Sequence, residues 1–171
     1  MTENRGMGNM IAQMLDKIFN FETAHAHCDI PCGIYDPHMA QMAAHTVIRM
    51  DMLIAELVKN PNMGPDERTK MIRYTTVKEQ HAELCKNEIR VLWGDYFKPE
   101  HAQANPELHG LVWDTLKLAS KARQGTTMTD AEALLANVEK IAEIFWKTKN
   151  IQTKRVKSLY PSEHEMVYPV V

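Results

Sequence analysis

The sequence predicts an all-α protein, an antiparallel up-and-down four-helix bundle with an N-terminal metal-binding hook. Three observations predict this fold. Four segments between residues 37 and 150 repeat apolar residues at helical spacing, helix breakers and capping signals separate them, and no strand-like alternation of comparable length competes. Amphipathic helices joined by short connections remove their apolar stripes from water by packing together. With 171 residues and 44% hydrophobic residues, the chain can bury the core of one such domain.

The first two predicted helices are separated by a strong breaker at residues 60–65, which contains two prolines and a glycine. Asp36 supplies a cap and Pro37 the first helical position, so the first helix runs from there to about Lys59. The second helix is long, from residue 66 to about residue 96. The apolar stripe of the first helix is predicted to contain Met39, Met42, Ala43, Val47, Met50, Leu53, Ile54 and Leu57.

The third and fourth predicted helices begin at recognisable capping signals. Asn105 followed by Pro106 starts the third helix, which stops before Gly125. A capping box from Thr129 to Glu132 starts the fourth helix. The apolar stripe of the fourth helix is predicted to contain Leu134, Leu135, Val138, Ile141, Ile144 and Phe145. The twelve methionines of the chain are interpreted as core-filling side chains rather than metal ligands.

The regions outside the bundle have a different character. The chain divides into a removable leader at residues 1–26, a hook at 27–36, the bundle at 37–150 and a C-terminal tail at 151–171. The leader ends in a small-x-small sequence suited to cleavage but lacks the uninterrupted apolar stretch of a secretory signal, and an ordinary attached helix fits its sequence equally well. Two prolines exclude a regular helix in the tail, which either wraps another surface, such as a neighbouring subunit, or stays loose.

Charge and cysteine content exclude several classes of protein. The formal charge is −2 without any block of like charges, so we expect neither nucleic acid nor a membrane surface as a partner. No apolar stretch is long enough to span a bilayer. We expect a cytoplasmic location, where reducing conditions keep thiols available. Of the three cysteines, Cys85 lies in a helical pattern and is interpreted as a free structural thiol, with a distant third metal ligand as the weaker alternative.

The densest group of metal-binding side chains is His27, Cys28 and Cys32, which lie within six residues. A structural zinc site would need a second pair of ligands at finger spacing, and a thioredoxin-like disulfide would need a C-x-x-C motif beside a strand. If cleavage exposes His27, then its α-amine, the Cys28 amide nitrogen and the two sulfurs form a planar N2S2 set. Such a set suits nickel(II) or copper(II), and the spacing does not decide between them.

The sequence HCDIPCGIY at residues 27–35 resembles the nickel hook of the nickel-containing superoxide dismutase family, whose pattern is H-C-D-x-P-C-G-x-Y. Similarity extends to about residue 150 through four further stretches, at residues 77–80, 91–99, 106–109 and 144–149. The resemblance implies a four-helix-bundle subunit, a homohexamer and a protease that removes the leader. It also implies one nickel ion per subunit, cycling between Ni(III) and Ni(II) while two superoxide ions and two protons become oxygen and hydrogen peroxide.

The same resemblance assigns the metal ligands. His27 provides its amine and an axial imidazole, Cys28 provides its amide nitrogen and its sulfur, and Cys32 provides the second sulfur. These three residues would carry the metal.

Four other residues receive supporting roles from the resemblance. Tyr35 stands over the open face of the metal and gates small anions, although a packing aromatic is the alternative interpretation of this residue. Tyr96 hydrogen-bonds near Tyr35. Lys98 raises the positive potential that attracts superoxide, and Asp29 stabilises the hook through local backbone hydrogen bonds.

Two positions depart from the family pattern. Ala43 and His81 stand where better-known members carry a glutamate and an arginine that hold the axial imidazole. His45, His81 or a backbone carbonyl are the candidates to replace that support. A non-enzymatic nickel or copper carrier is the rival function, and a purely structural helical interaction module is a third interpretation.

Overall fold

The computed structural model describes residues 33–171, and this part of the chain is mostly helical. Its elements are α1 (His38–Leu57), α2 (Pro65–Val91), a π-helical turn (Leu92–Tyr96), α3 (Pro99–Ala104), α4 (Leu108–Gln124), α5 (Met128–Thr148), β1 (Thr153–Lys157) and β2 (Glu165–Pro169). The predicted leader and the predicted ligands of the hook lie outside the described residues.

The four long helices share one apolar core. Helix α1 packs against α2 and α5, and α4 packs against the same two helices. All six residues of the apolar stripe predicted for the fourth helix are buried, which confirms that stripe. No helix within residues 33–171 is both long enough and apolar enough to cross a membrane.

The start of α1 follows the predicted cap with a shift of one residue. The backbone N–H of His38 donates to the Asp36 carboxylate at 2.7 Å, and Pro37 is the residue before the helix rather than its first residue. The predicted stripe is wrong at Met39 and Met42, which are 47% and 39% exposed. The buried face of α1 is rotated towards small residues that let the neighbouring helices approach closely. Its buried residues are Ala40, Gln41, Ala43, Ala44, His45, Val47, Ile48, Asp51 and Ile54.

The second predicted helix is confirmed, with an irregular end. Helix α2 begins at Pro65, and the Glu67 carboxylate accepts a hydrogen bond from the Gly64 N–H at 2.8 Å. This bond holds the pKa of Glu67 below its usual value because it stabilises the charged carboxylate. After Val91 the helix widens into the π-helical turn that ends at Tyr96. Such turns change the direction in which the last side chains point.

The two remaining helix starts differ from the sequence prediction. The third long helix begins at Leu108 rather than beside Asn105. Asn105 is buried and is the C-terminal cap of the short helix α3, which was not predicted. Helix α5 begins before the predicted capping box. Its N-cap is Thr127, so Thr129 and Glu132 already lie inside the helix and do not cap it.

The C-terminal tail folds back onto the helices of its own chain. Strands β1 and β2 pair antiparallel, with Val156 opposite Met166. Met166 and Val167 are buried. Both strands pack against α5. The tail is therefore not loose, and the surface that it covers belongs to the same chain.

Candidate metal centre

The predicted ligands His27, Cys28 and Cys32, and the predicted hook residue Asp29, lie outside the described residues. The described chain starts with Gly33, whose φ of 76° lies in the left-handed region that glycine adopts without strain. This glycine therefore suits a sharp turn immediately after Cys32. Within residues 33–171, no group of three or more histidine, cysteine, aspartate or glutamate side chains is arranged to hold a metal ion.

Tyr35 and Tyr96, which were predicted to lie near each other, are in ring contact. Their ring centroids are 5.5 Å apart and the ring planes are inclined by 52°. Both side chains are half-buried and pack against the core. The two residues are called the tyrosine pair, and Tyr35 is the third residue after Cys32 in the sequence. The prediction that the two residues are neighbours is in agreement with the structure, whereas their role in gating stays a prediction.

The hydroxyl group of Tyr96 is held by the end of α5. Its oxygen lies 2.6 Å from the Thr148 hydroxyl, which donates its own proton to the Phe145 carbonyl at 2.7 Å. Because a threonine hydroxyl carries a single proton, the Tyr96 O–H is the donor in the first bond. Thr148 therefore fixes the orientation of the Tyr96 phenol.

Further rings and one cation surround Tyr96. Phe145 lies 4.5 Å from its ring centroid, Phe97 lies at 5.3 Å, and His101 stacks on it at 5.7 Å with an interplanar angle of 26°. The ammonium group of Lys149 lies 5.5 Å from the Tyr96 ring centroid. Sequence reasoning predicted Phe145 only as a core residue and assigned no role to Phe97, His101 or Lys149, because only the fold brings the residue after the π-helical turn, α3 and the end of α5 together.

Lys98, the predicted source of positive potential, is exposed at the start of α3. Its backbone N–H donates to His101 Nδ1 at 3.2 Å. Its ammonium group forms no ion pair with the part of the chain that the structure describes. Lys149 is therefore the cation that lies against the ring of Tyr96, and Lys98 is an exposed cation two residues after Tyr96 in the sequence.

Cys85 is fully buried and is a free thiol in α2. Burial raises its pKa to about 12, with a smaller contribution from the negative charge of Glu88. The thiol therefore stays protonated at neutral pH, which makes it a poor metal ligand. This geometry agrees with the interpretation of Cys85 as a structural residue.

Comparisons with known proteins identify the family. A family model described as nickel-containing superoxide dismutase matches residues 22–149. A superoxide dismutase [Ni] of Streptomyces coelicolor is 42% identical over 137 residues, which are 80% of this chain and 98% of that protein. The chain belongs to the nickel-containing superoxide dismutase family. The predicted enzyme class, an oxidoreductase acting on superoxide, and the predicted nickel cofactor are thereby confirmed.

Other members of the family agree in sequence and in structure. A superoxide dismutase [Ni] of Streptomyces seoulensis is 39% identical over 137 residues, again 80% of this chain and 98% of that protein. A native nickel superoxide dismutase structure superposes with a TM-score of 0.63 at 42% identity, covering 72% of this chain and 99% of that one. An apo structure gives a TM-score of 0.60 at 39% identity, covering 68% and 98%. The relatives are thus matched over nearly their whole length, and this chain is longer.

The residues that depart from the expected pattern of the dismutase family have ordinary surroundings. Ala43 is 1% exposed in the core. His81 is half-buried on α2, and its Nδ1 lies 2.8 Å from the Val77 carbonyl one turn earlier. This bond leaves Nε2 of His81 available for another partner.

His45 is engaged elsewhere. Its Nε2 lies 3.0 Å from the Glu165 carbonyl, and its Nδ1 lies 2.7 Å from the Ser162 hydroxyl. A carbonyl only accepts hydrogen bonds, so Nε2 carries the proton and Nδ1 accepts from Ser162 in the neutral ring. Burial lowers the pKa of His45, which keeps the ring neutral. Both ring nitrogens of His45 are thus bonded to the C-terminal tail, so neither is available to support the imidazole of His27.

Proposed function

We propose that the mature chain begins at His27 and dismutates superoxide with one nickel ion per subunit, held by His27, Cys28 and Cys32. The observation that carries this proposal is the family match, which covers residues 22–149 and therefore includes the whole hook sequence. The donor chemistry fits nickel, because two thiolates, an amide nitrogen and an amine favour a tetragonal metal ion. When bound, nickel supplies the Ni(III)/Ni(II) couple for the one-electron steps.

The protein's own residues control access to this centre. Tyr35 is three residues beyond Cys32, and its ring rests on Tyr96, whose hydroxyl is fixed by Thr148. A tyrosine held in this way is suited to admit a small anion and exclude larger ones. Lys149 places positive charge against the ring of Tyr96, and Lys98 is an exposed cation nearby in the sequence; both would raise the local concentration of superoxide. Asp29 would stabilise the hook through local backbone hydrogen bonds.

In this proposal His81 or a backbone carbonyl would support the imidazole of His27. His45 is unsuited because both of its ring nitrogens are bonded to the C-terminal tail. In the described part of the chain only Nδ1 of His81 is hydrogen-bonded, so its Nε2 is available as a partner.

The assembly, the processing and the location are further parts of this proposal. We propose that the four long helices form an antiparallel up-and-down bundle with the hook before it, that six such subunits assemble into a homohexamer, and that a protease removes residues 1–26. The packing of α1 and α4 against both α2 and α5 supports the bundle. A cytoplasmic location suits the three cysteines because a reducing compartment keeps them as thiols. Neither nucleic acid nor a membrane is proposed as a partner.

The decisive experiment compares a chain that starts at His27 with the full 171-residue chain after both are loaded with nickel. The first should dismutate superoxide and the second should be about a thousandfold slower or worse, because a peptide nitrogen replaces the amine ligand. Mass spectrometry of the native protein should find His27 at the N-terminus. Full activity of the uncut chain would show that the amine is not a ligand.

Two further experiments test the thiolate ligands and separate an enzyme from a metal carrier. Cys28→Ser and Cys32→Ser should each abolish activity, whereas Cys85→Ala should leave it intact because Cys85 is a buried protonated thiol. An enzyme turns over many superoxide ions without releasing its nickel. If the protein instead releases its nickel when the nickel is oxidised or reduced once, and does not turn over repeatedly, the carrier function is favoured.

A further inference from the structure

The C-terminal hairpin, defined as β1, β2 and the loop between them, lies beyond the part of the chain that the family model matches. That match ends at residue 149, and the hairpin starts at Thr153. Its contacts show what it holds.

The first anchor of the hairpin is Gln41 on α1. Its amide group donates to the Val167 carbonyl at 3.1 Å and accepts from the Val167 N–H at 2.7 Å. Gln41 and Val167 are both buried. The side chain thus pairs with β2 as an adjacent strand would, and each buried bond is costly to leave unmade.

Two more residues on the same side of α1 contact the hairpin. His45, one turn beyond Gln41, bonds to Ser162 and to the Glu165 carbonyl. His38, the first residue of α1, faces Tyr168 with ring centroids 6.2 Å apart. Positions 38, 41 and 45 share one face of a helix. The hairpin is therefore fixed along the first two turns of α1.

The other side of the hairpin is fixed to α5 by charge. The guanidinium group of Arg155 bonds to Glu139 at 2.6 Å and to Glu143 at 2.7 Å, which lie one turn apart on α5. The hairpin consequently joins the beginning of α1 to α5.

These two helices also position the two members of the tyrosine pair. Tyr35 lies three residues before α1, and Tyr96 is bonded to Thr148, the last residue of α5. A shift of α1 relative to α5 would change the contact between the two rings. We propose that the C-terminal hairpin is a positioning element, which sets the contact of Tyr35 with Tyr96 by holding the first two turns of α1 against α5. Its consequence for catalysis rests on the proposed function, in which Tyr35 gates superoxide.

The test uses three variants of the full chain and of its mature form. One ends at Asn150, and we expect it to fold because it keeps every residue that the family model matches. The second is Gln41→Leu, which removes both bonds to Val167. The control is Lys154→Ala, because Lys154 is exposed and pairs with Tyr168 in the same hairpin.

The first measurement is independent of nickel. In fluorotyrosine-labelled protein without metal, the ¹⁹F resonances of Tyr35 and Tyr96 should shift in the truncated chain and in Gln41→Leu, while Tyr74 on α2 should not move. Amide hydrogen exchange over residues 38–45 should accelerate about tenfold in both variants. Lys154→Ala should behave as the unmodified chain. Unchanged resonances of the tyrosine pair in the truncated chain would overturn the proposal, even if the truncation lowers the unfolding temperature.

The second measurement links the hairpin to access. In nickel-loaded mature protein, the inhibition constant of azide, a small anion, should change in Gln41→Leu and not in Lys154→Ala. If no variant and no parent chain dismutates superoxide, the proposed function fails while the resonance shifts still establish the positioning role. If activity is normal and the resonances do not move, the function stands and the positioning role is refuted.

Discussion

Replacing Lys78 by methionine should destabilise the fold strongly, because it leaves a buried carboxylate without its counter-ion. Lys78 on α2 lies 3.5 Å from the Asp51 carboxylate on α1, and the two side chains are 2% and 1% exposed. Neither carboxylate oxygen accepts a hydrogen bond from the described residues. Lys78 also donates to the Gly125 carbonyl after α4. The ammonium group of Lys78 thus links α2 to α1 and to the end of α4.

The size of the effect follows from the geometry. Two unit charges 3.5 Å apart attract by about 5 kcal/mol at an effective dielectric constant of about 20. Breaking a buried pair by removing one partner typically costs about 3–5 kcal/mol. Methionine keeps most of the aliphatic length, so the loss of packing is small. We expect Lys78→Met to lower the free energy of unfolding by about 3–5 kcal/mol at pH 7.

The pH dependence tests the cause. Burial raises the pKa of Asp51, and Lys78 counteracts part of that rise. Without Lys78 the folded-state pKa rises further above the unfolded value, so the folded state takes up a proton more readily than the unfolded state. The penalty of Lys78→Met should therefore shrink as the pH falls from 7 towards about 4.

Urea unfolding followed by circular dichroism at pH 7 and pH 5 measures both quantities. Lys70→Met, at an exposed position of the same helix, is the matched control and should change the unfolding free energy little. The double variant Asp51→Leu with Lys78→Met should recover much of the loss, because no buried charge remains. The reasoning is refuted if Lys78→Met costs no more than Lys70→Met, or if its penalty is the same at both pH values.

Two further predictions concern buried titratable groups. In a Cys28→Ser and Cys32→Ser background, a maleimide at pH 8 should label Cys85 only when the protein unfolds. Above about pH 9 the free energy of unfolding should fall, because the thiol ionises in the unfolded state but not in the folded state, where its pKa is about 12. Cys85→Ala should abolish that slope, and rapid labelling of the folded chain would contradict its burial. Because burial lowers the pKa of His45, the unfolded state binds the extra proton, and stability should decline as the pH falls below about 6.5. His45→Gln should flatten this part of a urea-unfolding profile between pH 5 and pH 8, and an unchanged profile would count against the assignment.

The helices could be predicted because their signals are local. A repeat of apolar residues every three or four positions and a breaker at residues 60–65 depend on neighbours in sequence, and these signals located four long helices. The errors arose where packing decides between similar local patterns. Met39 and Met42 fit a helical stripe, but the core meets the alanine-rich face beside them. Thr129 fits a capping box, yet Thr127 is the residue that precedes the helix.

The chemistry of the candidate centre could be predicted for a similar reason. His27, Cys28 and Cys32 lie within six residues, so their ability to share one metal ion depends on short-range chain geometry and on ligand type. The contacts of the tyrosine pair come from distant parts of the chain. Tyr96 reaches Tyr35 through the π-helical turn and is held by Thr148, more than fifty residues away. No periodicity in the sequence encodes such a contact.

The sequence by itself thus determined the helical class and the resemblance to a family, and it predicted the donor set of the hook, because each rests on residues close together in the chain. Only the tertiary structure decided which faces of the helices are buried and which side chains fix the tyrosine pair. It also decided that the tail forms a hairpin bound to α1 and α5 through Gln41, His45 and Arg155. These contacts pair residues on separate elements, so they exist only once the helices have packed and brought the partners within hydrogen-bonding distance.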